Sequence, residues 1–80
     1  MSRDEIRDQV FTITAREFGL DAGAIQESDQ FVDDLGADSL KSIELVAAYE
    51  EEFELDLNEE EALRVQTVGG AIDFFEKLLV

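Results

Sequence analysis

An all-α fold is predicted: a small bundle of four helices, three longer and one short, with a long loop between the first two. Apolar residues recur at helical spacing in separate segments, and a side chain suited to helix capping precedes each segment. No run of alternating β-branched residues indicates a strand. The 80 residues contain no internal repeat and no low-complexity linker, so we expect one domain over residues 1–80.

The first helix is predicted from about Arg3 to Phe18. Ser2 and Glu5 have the spacing of a capping box, in which the serine side chain accepts a hydrogen bond from a first-turn amide. Gly19 supplies the left-handed residue that ends the helix. A loop over residues 20–37 follows, and we expect four apolar side chains to anchor it: Leu20, Ile25, Phe31 and Leu35.

The second helix has two apolar faces. It is predicted to begin with Asp38 as its N-cap and Ser39 as its first residue, and to end near Phe53. An arc roughly 100° wide faces the core and contains Leu45, Val46, Tyr49 and Phe53. An opposite arc about 60° wide contains Leu40, Ile43 and Ala47. Because a surface helix needs only one apolar face, this second arc either docks a partner or packs on the long loop.

Two further helices complete the bundle. A short third helix is predicted over about Glu59 to Arg64, with Asn58 as its cap. The fourth begins after its cap, Thr67, and runs to the C-terminus with one apolar face: Val68, Ala71, Ile72, Phe75, Leu78 and Leu79. Two glycines in its first turn, Gly69 and Gly70, weaken it by up to about 1 kcal/mol each relative to alanine.

The composition argues against several classes of function. Without Cys or His, the chain lacks the usual catalytic triads, thiolate nucleophiles and zinc ligands, so we expect no catalysis and no metal site. The net charge of −15 disfavours nucleic acid and anionic membranes as partners. Residues 27–61 hold 14 acids and one base, Lys41, and therefore most of that charge. Lacking a membrane-length apolar run or a signal peptide, the chain is expected to be cytoplasmic, and we also expect it to be a monomer.

Residues 31–46 contain the most specific motif. The string Leu-Gly-Ala-Asp-Ser-Leu, residues 35–40, closely resembles the attachment site of acyl carrier proteins. The resemblance continues through residues 50–53 and 67–74 and is weakest over residues 1–26. It implies that Ser39 carries 4′-phosphopantetheine, transferred from coenzyme A by a separate phosphopantetheinyl transferase. The amides and the positive dipole end of a helix N-terminus suit the phosphodiester of that group.

The resemblance implies roles for further residues. Asp38 would cap the helix and help to position metal and phosphate during modification. Acyl chains would enter the core among Leu45, Val46, Tyr49, Phe53, Ile72 and Phe75. Together with the charge pattern, it predicts that acyl-pathway enzymes bind through basic patches to one surface: Leu40, Lys41, Ile43, Glu44, Ala47, Glu50 and Glu51.

The predicted function is a carrier that holds acyl chains as thioesters and presents them to enzymes of fatty-acid synthesis or a related pathway. The alternative is an acidic adaptor that uses the same surface without a cofactor. Four residues depart from the family's usual pattern: Lys41, Tyr49, Asn58 and Gly70. Tyr49 stands on the core arc where the family usually has an aliphatic residue, so we expect an altered cargo length or polarity. These departures leave the pathway open.

Overall fold

Four α-helices form the fold of the computed structural model, which describes residues 1–79. The helices are α1 (Arg3–Phe18), α2 (Ser39–Phe53), α3 (Glu59–Leu63) and α4 (Val68–Leu79). The predicted all-α fold is confirmed, since the β-type pairing in residues 1–79 is limited to one isolated bridge between Gln30 and Thr67. No helix in this part of the chain is long and apolar enough to span a membrane.

Side-chain caps begin the helices, as predicted. Each capping side chain accepts a hydrogen bond from the amide three residues further on, at 2.7 to 3.2 Å, and the four caps are Ser2, Asp38, Asn58 and Thr67. These bonds satisfy amides that have no partner inside the helix. α3 ends at Leu63, one residue before the predicted end, and Arg64 forms its C-cap.

The connection between α1 and α2 contains a helix that the sequence pattern missed. A short 3-10 helix occupies Ala22–Ala24. The Gly23 amide donates to the Asp21 side chain at 3.4 Å, and the Ala24 amide donates to the Asp21 carbonyl at 2.9 Å. Three residues are too few to show helical periodicity, so local capping is the main sequence signal for such an element.

Three of the four predicted anchors hold this connection against the core. Ile25 and Phe31 are buried, and Leu35 is half-buried against the core. The prediction for Leu20 is wrong, because its side chain is 44% exposed. The Leu20 amide instead donates to the Ala15 carbonyl at 2.8 Å and closes the C-terminus of α1.

The densest packing lies between α1 and α4. The largest fully buried side chains all belong to these two helices: Ile6, Val10, Thr14, Val68, Ile72 and Phe75. α3, by contrast, contributes no buried residue. The structure therefore divides into a closely packed α1–α4 half and an α2–α3 half that contains most of the predicted site residues, while two predicted pocket residues, Ile72 and Phe75, belong to α4.

Gly69 lies where the loop crosses the start of α4. Its amide donates to the Glu27 carbonyl at 2.8 Å, and the Val68 amide donates to the Asp29 carbonyl at 3.0 Å. A Cβ atom at Gly69 would lie 3.0 Å from the Glu27 carbonyl oxygen, a tighter contact than most Cβ atoms make in proteins. The glycine thus permits a close backbone approach that offsets its low helix propensity.

Candidate functional site

Ser39 is exposed at the first position of α2. The Asp38 carboxylate, as N-cap, accepts from the Lys41 amide at 2.7 Å. Within residues 1–79 the Ser39 and Leu40 amides have no hydrogen-bond acceptor, as the geometry of a helix start requires. An anionic group on the Ser39 hydroxyl would therefore lie close to two amide donors and to the positive end of the helix dipole.

The second apolar arc of α2 faces solvent. Leu40 is 64% exposed, Ile43 is 47% exposed and Ala47 is exposed as well. The interpretation that these side chains pack on the long loop is therefore wrong. The remaining alternative is a docking surface, formed by an exposed apolar stripe that begins one residue after Ser39.

Three carboxylates were predicted to surround this stripe. Glu44 and Glu51 are exposed. Glu50 is half-buried instead, and its carboxylate accepts from the Leu57 amide at 3.0 Å, so it turns toward the connection between α2 and α3. Two exposed carboxylates therefore border the stripe, while Glu50 has a bond inside the protein.

Lys41 turns away from the stripe toward the end of α1. Its ammonium donates to the Glu17 carbonyl at 3.0 Å and lies 3.5 Å from the Glu44 carboxylate and 6.0 Å from the centre of the Phe18 ring. A cation is favourable beside the last carbonyls of a helix. The Lys41 ammonium thus links α2 to α1, and the Glu44 carboxylate and the Glu17 carbonyl already offset part of its charge.

A cavity of about 370 Å³ lies between α2, α3, α4 and the loop after Gln30. Four of the six residues predicted for an acyl pocket line it: Leu45, Val46, Tyr49 and Phe75. Ser42, one turn after Ser39 on α2, lines it too. The same helix, α2, therefore begins with the exposed serine and lines the apolar cavity.

The other two predicted pocket residues do not line the cavity. Phe53, at the end of α2, stacks on Phe75 with ring centroids 4.5 Å apart and packs behind the cavity wall. Ile72 follows Ala71 by about 100° of helical rotation and is fully buried outside the cavity. Both belong to the core without contributing to this space.

The loop and the α3 region supply walls that the sequence pattern missed. These residues are Phe31, Val32, Leu57, Ala62, Leu63 and Val65. Val32 is 62% exposed and Leu63 is 43% exposed, so they mark the open side of the cavity. They fall in segments without a clear helical face, and their isolated apolar character was the one signal available.

Tyr49 carries the one buried hydrogen bond between side chains of α1 and α2. Its hydroxyl and the Thr14 hydroxyl are 2.6 Å apart, and Thr14 is fully buried. Burial raises the pKa of Tyr49 above its ordinary value, while the bond to Thr14 lowers it by a smaller amount. The phenol therefore stays neutral, and its polar end is satisfied inside the core.

The acidic stretch from Glu54 to Glu61 lies on the surface without internal counter-ions. Within residues 1–79, none of its five carboxylates forms an ion pair. Nor does this described part of the chain contain a cluster of three or more acidic side chains that could hold a metal ion. The stretch presents a field of negative charge to the solvent.

Comparison with protein families identifies the arrangement. The model of a family described as the phosphopantetheine attachment site matches residues 8–75, from the second turn of α1 to the middle of α4. The chain belongs to the phosphopantetheine attachment site family. The predicted resemblance to acyl carrier proteins is confirmed at this level, because the match covers α2 and α3 in full and most of α1 and α4.

Membership in the phosphopantetheine attachment site family establishes the cofactor. Domains of this family attach a 4′-phosphopantetheine prosthetic group, and the chain is therefore a phosphopantetheine-carrying carrier protein. The start of α2 fits that group, since it combines an exposed serine hydroxyl with unpaired amides and the positive end of a helix dipole.

Proposed function

We propose that this chain, as a single domain, carries acyl groups on a phosphopantetheine arm attached to Ser39. One observation carries the proposal: the exposed Ser39 starts the same helix that lines an apolar cavity large enough for part of an acyl chain. The pathway is fatty-acid synthesis or a related acyl pathway in the cytoplasm, and the chain acts there as a monomer without catalysing a reaction.

The arm supplies a terminal thiol, to which an acyl group is joined as a thioester. The chain has no Cys of its own, so this sulfur comes from the cofactor alone. Asp38 holds the first turn of α2 in place, and the Ser39 and Leu40 amides favour the phosphate group. The chain contains no His, the side chain that most often serves as a general base, and a serine hydroxyl is a weak nucleophile by itself, so a separate phosphopantetheinyl transferase attaches the arm.

The stripe of Leu40, Ile43 and Ala47 supplies the apolar centre of the surface on which that transferase and acyl-pathway enzymes dock. Glu44 and Glu51 meet Arg or Lys side chains of a basic patch on the partner. A carrier must leave each enzyme after every step, which favours affinities in the micromolar range, about −8 kcal/mol or weaker. Charges at an interface rim suit that need, because they speed association more than they slow release.

Intact-mass measurement tests the attachment. The purified protein is incubated with coenzyme A, a divalent metal and a phosphopantetheinyl transferase of broad specificity. We expect one added phosphopantetheine in the unaltered protein and none in Ser39→Ala. The matched controls are alanine substitutions at the other serines: Ser2, Ser28 and Ser42.

Each control should still gain one arm, since the attachment motif surrounds Ser39 alone. A gain of mass by Ser39→Ala would contradict the attachment site. Failure of the unaltered protein to gain mass with several transferases would favour the acidic adaptor, which uses the α2 surface without a cofactor.

A further inference from the structure

The cavity has an open side and a closed end. Five of its lining residues are exposed and mark the open side: the apolar Val32 and Leu63 and the polar Gln30, Asp33 and Gln66. The closed end is lined by buried side chains: Phe31, Leu45, Val46, Tyr49, Ala71 and Phe75. An acyl chain that enters from solvent therefore advances toward this buried lining, to which Tyr49 of α2 and Phe75 of α4 belong.

Tyr49 separates the closed end from α1. Its ring lines the cavity, whereas its hydroxyl contacts Thr14 of α1, which does not line the cavity. The neighbouring Phe75 ring packs against it in a T-shaped arrangement, with centroids 5.1 Å apart. The tyrosine ring thus stands between the space open to cargo and the closely packed core.

Two contacts prevent this ring from swinging aside. Rotation of Tyr49 would break its 2.6 Å hydrogen bond and leave the fully buried Thr14 hydroxyl without a partner. It would also separate the ring from Phe75, which is itself held by Phe53 at 4.5 Å. An aliphatic side chain at this position would have neither restraint and could shift as a chain enters.

We propose that Tyr49, locked by Thr14, is the stop that sets the maximum length of acyl chain that the cavity accepts. The proposal rests on the proposed function, since it concerns the cargo of that same carrier. A cavity of 370 Å³ holds on the order of ten methylene-sized groups, when each takes about the 30 Å³ that a water molecule occupies in the liquid. The cargo is therefore a short or medium-length chain, and the tail of a longer chain stays in solvent.

A series of loaded proteins tests the stop. Saturated chains of about four to about sixteen carbons are attached to the unaltered protein, and the melting temperature of each form is compared with that of the unloaded arm-bearing form. Each buried methylene adds stability, so the melting temperature should rise with chain length and stop rising at roughly ten carbons.

The informative variant is Tyr49→Leu combined with Thr14→Val. The second change removes the hydroxyl that would otherwise remain unpaired, so the enlarged space is apolar. In this double variant the rise should continue for at least about two further carbons. A rise that stops at the same length as in the unaltered protein would overturn the proposal.

The matched control is Phe53→Leu. Phe53 lies one turn after Tyr49 on α2 and belongs to the same aromatic cluster, with centroids 6.5 Å apart, but it does not line the cavity. This change should lower the melting temperature of every form without moving the length at which the rise stops. A similar extension in Phe53→Leu would show that general loosening of the core admits longer chains, and the proposal would fail.

Proton NMR of the unaltered protein provides a test that needs no variant. The chain contains one tyrosine, so its ring signals are unambiguous. They should stay in place with the shortest chains and move once the chain approaches the limiting length. Ring signals that respond equally at all lengths, or at none, would contradict the stop.

The results separate this proposal from the one on which it rests. If no chain of any length changes the melting temperature or the ring signals, both the carriage of cargo in the cavity and the stop are wrong. If short chains stabilise the protein but the double variant keeps the same limit, the carrier function stands and Tyr49 is not the stop.

Discussion

The α1–α4 half and the α2–α3 half of this molecule are packed in opposite ways. The first contains all of the largest fully buried side chains, and no residue of α3 is buried. The second carries the exposed apolar stripe of Leu40, Ile43 and Ala47, and between it and α4 lies a cavity of about 370 Å³. The two halves meet at Tyr49, whose hydroxyl bonds to α1 and whose ring lines the cavity.

The charges follow the same division. All three arginines of α1 form ion pairs. Arg3 contacts one carboxylate of the loop, Glu27, and two of α4, Asp73 and Glu76, at 2.7 to 3.5 Å. The acids from Glu54 to Glu61 have no such partner within residues 1–79. The α1–α4 half thus contributes stability by packing. The α2–α3 half presents a cavity and unpaired negative charge, both of which suit the binding of a ligand or partner.

The largest expected effect comes from a matched pair of valines. Val10 is fully buried in α1, whereas Val46 lines the cavity from α2. Val10→Ala should lower the free energy of unfolding by about 2 to 3 kcal/mol, from lost burial plus a new void, and Val46→Ala by about 1 kcal/mol. Urea denaturation measures both changes.

Equal losses at the two valines would contradict the division into a dense and an open half. The smaller loss is expected for Val46→Ala because its methyl groups already border empty space, so the substitution removes fewer contacts.

The second-largest loss of unfolding free energy is expected from removing the hydrogen bond between Tyr49 and Thr14, which joins the two halves. Tyr49→Phe leaves the buried Thr14 hydroxyl unpaired and should cost about 1 to 2 kcal/mol at neutral pH. Burial raises the pKa of Tyr49 in the folded state, so the folded protein favours the neutral phenol. The stabilisation that the neutral phenol contributes is therefore fully present below the unfolded pKa of about 10 and is lost progressively as the pH rises above it.

Urea denaturation from about pH 8 to about pH 11 tests this dependence. The unaltered protein should lose more stability over the alkaline part of that range than Tyr49→Phe does. Identical alkaline losses would mean that ionisation of Tyr49 is not coupled to unfolding. The difference in unfolding free energy between the two proteins at about pH 8, where the phenol is neutral, gives the cost of the lost hydroxyl and is the reference for the alkaline range.

Charge reversal on the open half should weaken partner binding about tenfold, or 1.4 kcal/mol. The variant combines Glu44→Lys with Glu51→Lys and is measured by surface plasmon resonance against the phosphopantetheinyl transferase. The loss should shrink as salt is raised, because exposed charges are screened. Ile43→Ala should weaken binding with little dependence on salt.

The control reverses two exposed acids of α1, Asp4 and Asp8, and so makes the same change in net charge elsewhere. It should weaken binding much less at equal salt. A control that weakens binding as strongly as the α2 variant would show that overall charge, rather than the stripe and its rim, determines recognition.

The smallest expected effect compares two helix ends. The C-cap of α1 is Gly19 with φ 67°, and the C-cap of α2 is Glu54 with φ 55°, a left-handed conformation that costs energy for a residue with a side chain. Glu54→Gly should raise the free energy of unfolding by about 0.5 kcal/mol, whereas Gly19→Ala should lower it by about 1 kcal/mol. Thermal unfolding of both variants provides the measurement, and a loss of stability in Glu54→Gly would refute the assigned strain.

The sequence by itself determined the helices and their starts. The bonds from Ser2, Asp38, Asn58 and Thr67 each span three residues, and the periodicity of a helix is set by its own backbone. Local interactions of this kind can be predicted without knowledge of the rest of the fold. The placement of Ser39 at the first position of α2 follows from the same local rule.

The tertiary structure decided which faces are covered and where space remains. The two arcs of α2 are alike in apolar character, and only the positions of α1 and the loop leave Leu40 and Ile43 in solvent. The cavity likewise combines Val32, Leu63 and Tyr49 from segments far apart in the chain. The bond between Tyr49 and Thr14 spans 35 residues. Contacts over such separations depend on how the helices pack, which periodicity along a single helix does not encode.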